Sequence, residues 1–317
     1  MMRPLLHIPD GFLAPQVALA LWVATAVVIG IALRRIGQRG PAAASQTILM
    51  GLSGAFIFAA QMFNFPVAAG TSGHLLGGVL AGFLLGPWAG SVVMATVIGI
   101  QALLFQDGGL LALGANIFNM GVIGTLGGTL VARGIAATLG NARRSTLFGV
   151  GVAAWLSVMA AAGFTTLQLG LSGTTDVSIG LPAMLGTHAL IGLGEALISV
   201  AAISFIAVSA PEIFAKSVPV APTSPRRRVA AGLLIAGTTV GLASLFASTS
   251  PDGLEKVATD LGFNNTSQAA PFELFADYSV PGFDGVAGTA LAGVIGVLVV
   301  LLVIVLLNRL ASARKGS

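Results

Sequence analysis

The chain has 317 residues, of which 56% are hydrophobic and 8% charged, with a mean hydropathy of +0.96. A soluble domain carries about 25% charged residues, so a water-soluble globule is excluded and an all-α, polytopic membrane protein is expected. The absence of cysteine excludes disulfides, iron–sulfur clusters, thiolate metal sites and cysteine nucleophiles.

A helix needs about 20 mostly apolar residues to cross the hydrocarbon core. In chain order, hydropathy predicts nine spans: 15–33, 45–64, 74–88, 90–106, 115–138, 146–170, 183–209, 229–248 and 286–308. The third is short, and 74–106 reads alternatively as a broken pair of half-helices. A signal peptide is not expected. Arg3 makes a weak basic region, polar His7, Asp10 and Gly11 precede the first apolar run, and that run continues past the faint small-residue site at Ala18-Leu19-Ala20.

The charges test this arrangement. With the N-terminus outside, thirteen of the fifteen basic residues fall on the inner side: Arg34, Arg35, Arg39, Arg133, Arg143, Arg144, Lys216, Arg226, Arg227, Arg228, Arg309, Arg314 and Lys315. Arg3 and Lys256 are the exceptions. The opposite side collects the acids, among them Asp10, Asp107, Asp176, Asp252, Glu255, Asp260 and Asp277. The positive-inside rule therefore predicts N-out, C-in with an odd number of spans. The basic pI of 10.3 follows from this sorting and calls for no nucleic-acid partner.

The chain divides near 210–228, where four prolines and an arginine cluster read as a cytoplasmic linker. Residues 1–209 form a seven-span core. Residues 229–317 form a two-span module with an acidic outer segment, 249–285. No inverted repeat of the kind found in secondary transporters stands out.

Three histidines occur, His7, His74 and His188, and all three fall where an outer surface meets a helix. Taken singly, each is as readily a structural hydrogen-bonding residue; their convergence on one side points to a metal. Imidazole binds Ni(II), Co(II), Cu(II) and Zn(II), and without cysteine such a site is nitrogen-dominated. Glu195 is the one acid inside a span, two helical turns after His188. Its two readings are a packing bond between helices and a role in ion passage. Asn116 and Asn119 share a helix face and either glue helices or line an aqueous approach. Gly70, Gly73, Gly77 and Gly78 permit close packing or close approach of backbone to an ion. No Gly-x-x-x-x-Gly-Lys-Ser/Thr sequence exists, so the chain is not expected to use ATP itself. An intramembrane metalloenzyme is disfavoured by the lack of His-Glu-x-x-His; an ion-driven secondary transporter is the other alternative.

Four motifs carry a resemblance. They are His7-Ile-Pro-Asp-Gly-Phe-Leu, Gly70-Thr-Ser-Gly-His-Leu-Leu-Gly-Gly, the run from Gln101 to Gly121 with Gln-Asp-Gly-Gly and Gly-Ala-Asn-Ile-Phe-Asn-Met-Gly, and His188-Ala-Leu-Ile-Gly-Leu-Gly-Glu-Ala-Leu. Over about residues 6–209 the chain resembles the CbiM/NikM family, the substrate-binding membrane subunits of cobalt and nickel energy-coupling-factor transporters. Ser250-Pro-Asp-Gly-Leu-Glu-Lys is similar to the PDGLE segment of the small two-span CbiN/NikN-like subunits, here fused behind the core. The resemblance implies uptake of Ni(II) or Co(II) as cargo with no permanent cofactor. It also implies a separate ATPase and a transmembrane coupling subunit as partners, and a bacterial or archaeal cytoplasmic membrane. The inner arginines then face lipid headgroups for the most part.

The resemblance further implies an outer metal site made from a free N-terminal amine, the backbone nitrogen and imidazole of the next histidine, and a histidine matching His74. His188, Asn116, Asn119 and Glu195 become candidates for holding the ligands or lining the passage. The family histidine is residue two, whereas His7 here follows Met1-Met-Arg-Pro-Leu-Leu. Translation from Leu6, since leucine codons serve as bacterial starts, would restore the pattern and place the amine at Leu6.

Overall fold

The computed structural model describes residues 7–38, 43–62, 64–68, 70–209, 225–246, 248–270, 272, 274–283 and 285–313. Helices dominate because hydrocarbon offers no partner to the backbone, so each crossing segment must satisfy its own N–H and C=O groups. In order they are α1 (Pro15–Gly37), α2 (Ala43–Gln61), α3 (Gly78–Leu85), α4 (Pro87–Phe105), α5 (Leu113–Thr138), α6 (Arg143–Leu171), α7 (Val177–Ser209), α8 (Pro225–Phe246), α9 (Gly253–Asp260) and α10 (Gly285–Ala313). Six of them, α1, α4, α5, α6, α7 and α10, are long and apolar enough to cross a membrane. Each of the nine predicted spans overlaps a helix, but among the described residues only six have the length and hydropathy that crossing requires. Arg226–Arg228, read as linker, lie in the first turn of α8.

The third span is not a spanning helix. α3 has 8 residues, about 12 Å of rise or less than half the hydrocarbon thickness. The 19-residue α4 is full length, so only one member of the suspected broken pair is half a helix. The chain reaches α3 through an extended leg. Two-residue strands β1 (Phe65–Pro66) and β2 (Ser72–Gly73) pair antiparallel, and residues 71–80 are buried throughout. Non-helical backbone at membrane depth is tolerated only inside protein, with its polar groups satisfied. Gln61 Nε2 donates to the Leu76 carbonyl at 2.7 Å. The Glu195 carboxylate accepts the Leu76 and Gly77 N–H groups at 2.6 and 2.9 Å. The carboxylate thus bonds the non-helical leg rather than a neighbouring helix.

α4 is the hub, packed against α1, α2, α3, α5 and α10. α6 and α7 form an antiparallel pair beside α5, and α8 and α10 dock on α2. At one end, Arg35 lies 4.5 Å over the Trp88 ring and Arg143 reaches the Ser204 carbonyl. The other end gathers His7, Asp107 and Asp252. Leu19, Val23 and Val27 on α1 and Leu298 and Leu302 on α10 are exposed, forming an apolar outer wall suited to lipid. The last turn of α4 (Gln101–Phe105) and the middle of α5 (Ile117–Gly127) widen to π geometry, a feature that recurs at functional sites.

Candidate metal site

The N-terminal segment is fixed by the loop between α4 and α5. The Asp10 carboxylate accepts the N–H groups of Leu110, Leu111 and Ala112 at 3.0, 2.8 and 3.1 Å, like a plug in a row of backbone donors. Asn116 clamps the Ile8 peptide from both sides: its Oδ1 accepts the Ile8 N–H and its Nδ2 donates to the Ile8 carbonyl, each at 3.0 Å. The Gly109 N–H donates to the same carbonyl at 2.9 Å. Side chains are missing where this contact is closest. A Cβ on Gly109 would overlap Asp10, and one on Gly108, whose φ is +96°, would lie 2.9 Å from the His7 Cβ. His-Ile-Pro-Asp-Gly and Gln-Asp-Gly-Gly thus form one structural unit, about a hundred residues apart in sequence.

His7 is held by this unit. Its Nδ1 lies 3.1 Å from the Asp107 carbonyl and 3.1 Å from Asp107 Oδ1. Both are acceptors, so Nδ1 carries the proton. Nε2 is buried and has no hydrogen-bond partner. The Asp107 carboxylate also accepts the Tyr278 hydroxyl at 2.6 Å. Burial pulls the His7 imidazolium down, but the charge and hydrogen bonds of Asp107 outweigh it and hold His7 above its ordinary value. Burial likewise pushes the Asp107 carboxyl up, and His7 and Tyr278 bring it below the usual carboxylate range. His74 stands edge-on to His7, ring centroids 5.3 Å apart at 88°. The His188 Nδ1 pairs with the Met184 carbonyl at 2.8 Å, one turn back on α7.

The three imidazoles and Asn116, Asn119 and Asp252 line one cavity of about 70 Å³, room for an ion and one or two waters. Asn119 is also bonded to Thr165 and Gln168 of α6 at 2.7–3.1 Å, so it joins α5 to α6 at the cavity floor. Glu195 does not line the cavity; it grips the chain two residues after His74. Leu6 and the chain's amine lie outside the described residues.

Sequence reasoning missed the roof. The 249–285 segment folds over the cavity, touching its wall at Ser72 and at His188. The Ser72 N–H donates to the Pro251 carbonyl at 2.8 Å, and the Ser72 hydroxyl to the Ser250 carbonyl at 2.7 Å. Asp252 caps α9 by accepting the Glu255 N–H at 2.7 Å, and burial pushes its carboxyl up to about 7 against that bond. A Cβ on Gly253 would lie 2.7–3.0 Å from Ile191 Cδ1 and His188 Cε1 and Nε2. The Pro-Asp-Gly run is thus a close backbone approach to His188. The motif was visible in sequence; its partner was not.

A multi-pass helical protein that buries histidines, asparagines and a carboxylate around one small cavity has the makings of an ion-handling membrane protein. Comparison with known proteins gives the family. Residues 7–213 match the family model CbiM, the cobalt uptake substrate-specific transmembrane region, and residues 226–313 match the PDGLE domain. The chain belongs to the CbiM family, with a PDGLE domain fused behind it. It is 36% identical over 291 residues to NikMN of Archaeoglobus fulgidus, named as a fused nickel transport protein, covering 91% of this chain and 93% of that one. It is 31% identical over 243 residues to the fused nickel transport protein NikMN of Rhodobacter capsulatus, covering 71% and 67%. A crystal structure of a transition metal transporter matches with a TM-score of 0.56 and 31% identity over 63% of this chain and 92% of that chain. The protein is a multi-pass membrane component of nickel and cobalt transport, and a transporter rather than an enzyme.

Proposed function

We propose that this chain is the substrate-specific subunit of an energy-coupling-factor ABC transporter that captures Ni(II) or Co(II) in the histidine cavity. One observation carries the reading: His7, His74 and His188, from three separate elements, meet on one buried cavity with the His7 Nε2 unpartnered. A carboxylate behind a ligating imidazole is the usual arrangement for fixing its tautomer and raising its basicity, and Asp107 stands in that position. With N-out topology the cavity lies on the outer side, under the 249–285 segment. The capturing chain then sits in a bacterial or archaeal cytoplasmic membrane and draws its drive from a separate ATPase and a transmembrane coupling subunit.

Among the described residues, no three His, Asp or Glu side chains stand in coordinating geometry about one point. Backbone or amine nitrogen therefore completes the ligand set. A fused chelate through the backbone nitrogen of His7 closes a six-membered ring only through Nδ1, the atom now bonded to Asp107. The loaded state then requires Nδ1 to give up its proton and its bond to the Asp107 carbonyl. If the ion binds Nε2 directly, the ring stays as it is. Nitrogen-rich, tetragonal coordination suits Ni(II) and discriminates against Mg(II).

The test is calorimetric titration of the purified chain with Ni(II) and Co(II), beside His7→Ala and His74→Ala. Both variants lose binding on this reading. Parent-like binding by both sinks it. Metal accumulation in cells that depends on a co-expressed ATPase supports the coupled mechanism, while uptake by this chain alone, abolished by an uncoupler, supports an ion-driven carrier instead.

A further inference from the structure

The chain contains a single tyrosine, and the fused PDGLE domain delivers it to the centre of the molecule. Tyr278 is buried, stacked on Phe105 of α4 with centroids 4.8 Å apart at 14° and tilted against Phe58 of α2 at 6.2 Å. The stack fixes the ring plane and so aims the hydroxyl. That hydroxyl donates to Asp107 Oδ2 at 2.6 Å, while Oδ1 lies 3.1 Å from His7 Nδ1 as an ion-pair contact, the Nδ1 hydrogen bond itself going to the Asp107 backbone carbonyl at 3.1 Å. The line Tyr278–Asp107–His7 ends at a buried nitrogen with no partner, on the cavity wall.

We propose that Tyr278 is a positioning residue for metal capture: by occupying one oxygen of Asp107 it orients the other toward His7 and so holds the imidazole with a nitrogen lone pair directed into the cavity. The proposal rests on the reading of the cavity as the metal site. A carboxylate with a free oxygen has two ways to meet an imidazole N–H and can rotate between them. A carboxylate with one oxygen committed to a fixed phenol has one. The fused domain thereby acts on the ion it does not itself have to ligate.

The phenol is worth less than the carboxylate it orients, because removing such a supporting partner outright costs about 10–100-fold in metal affinity. The experiment titrates Ni(II) alone into the full-length purified chain and into Tyr278→Phe, Asp107→Asn and the double variant. Phenylalanine keeps the stack on Phe105 and removes only the donor. The expected result is a several-fold loss for Tyr278→Phe, a larger loss for Asp107→Asn, and no further loss in the double variant, together with a shifted ligand-field absorption of bound Co(II) in Tyr278→Phe. A purely structural tyrosine would lose affinity equally in both backgrounds and leave that absorption in place, which overturns the proposal. A parent that binds Ni(II) with Tyr278→Phe at the same affinity also overturns it, while the metal-site reading stands. A parent that binds no metal overturns both. Should the phenylalanine variant not fold, the lone tyrosine is read in the parent by ultraviolet resonance Raman. A strong-donor phenol signature is expected, and a signature of a water-exposed phenol overturns the proposal.

Discussion

Glu195→Gln isolates the clamp that holds the His74 leg. The substitution keeps the size and shape of the side chain. The carboxylate accepts two N–H groups, from Leu76 at 2.6 Å and Gly77 at 2.9 Å, and all the groups are buried. An amide has one oxygen, so one bond survives and the NH2 group confronts the second N–H donor-to-donor. The lost hydrogen bond to a charged group is worth about 1.5–3 kcal/mol, and a buried N–H left unpaired costs about 1–3 kcal/mol. These overlap in part, so about 3 kcal/mol is lost locally. The strain falls on residues 74–77, where the backbone is non-helical and ends in the left-handed Gly77. If all of it opposes the arrangement that presents His74, Ni(II) affinity falls by up to about a hundredfold. The assay is calorimetric titration, paired with hydrogen–deuterium exchange across 70–80. Exchange should rise there and stay unchanged in α6. Parent affinity together with parent exchange would refute the clamp.

Other outcomes follow from the same geometry. Asn116→Ala leaves the Ile8 N–H without its Oδ1 acceptor at a cost of about 1–3 kcal/mol, so amide exchange at residues 7–12 accelerates; unaltered exchange would show that Asp10 alone fixes the segment. Gly253→Ala pushes a methyl into His188 and Ile191, so Ni(II) binding weakens while the chain still folds, since flexible side-chain ends yield for about 1–3 kcal/mol; unchanged titrations would deny the close approach. For pH, the Asp252 carboxyl stands at about 7, raised by burial and by the neighbouring Glu255 and Asp107 charges, with His7 opposing. Burial favours the neutral acid, so in the metal-free chain the docking of 250–254 is firmest at and below the ordinary carboxylate range, loosens as pH rises from there to about 7, and levels off above it. A cation needs the opposite form, so Ni(II) affinity increases from pH 6 to 8, and Asp252→Asn flattens that profile; an equally steep profile in the variant would assign the proton to another group.

Much of the architecture was legible because a bilayer leaves the chain few options. Hydropathy located every helix but the short outer α9, since any crossing segment must be apolar and self-satisfied. The short third span was also readable: Gly77-Gly78 and Gly86-Pro87 interrupt the run where the leg and α3 begin and end. The three histidines and Asn116 were legible as rare polar residues in costly places, and all four line one cavity. Hydropathy carries no information on whether a helix widens to π geometry, and the turns at Gln101–Phe105 and Ile117–Gly127 had no signal of their own.

Glu195 shows where residue-level reasoning stops. A buried acid is expensive, and that expense is offset equally by an ion or by two peptide N–H groups; only the fold says which lies opposite. Leu76 and Gly77 are separated from it by more than a hundred positions. Asp252, Gly253 and Tyr278 are a stronger case, because their partners lie in a different domain of the same chain. Locally, Asp252 is a helix cap bonded to the Glu255 N–H and Tyr278 a loop aromatic stacked on Phe105. What makes them part of the site is docking of α8 and α10 on α2, which carries the intervening segment across the cavity. A residue that is structurally ordinary in its own element acquires a chemical role from what is packed beneath it, and no periodicity in one sequence reports that.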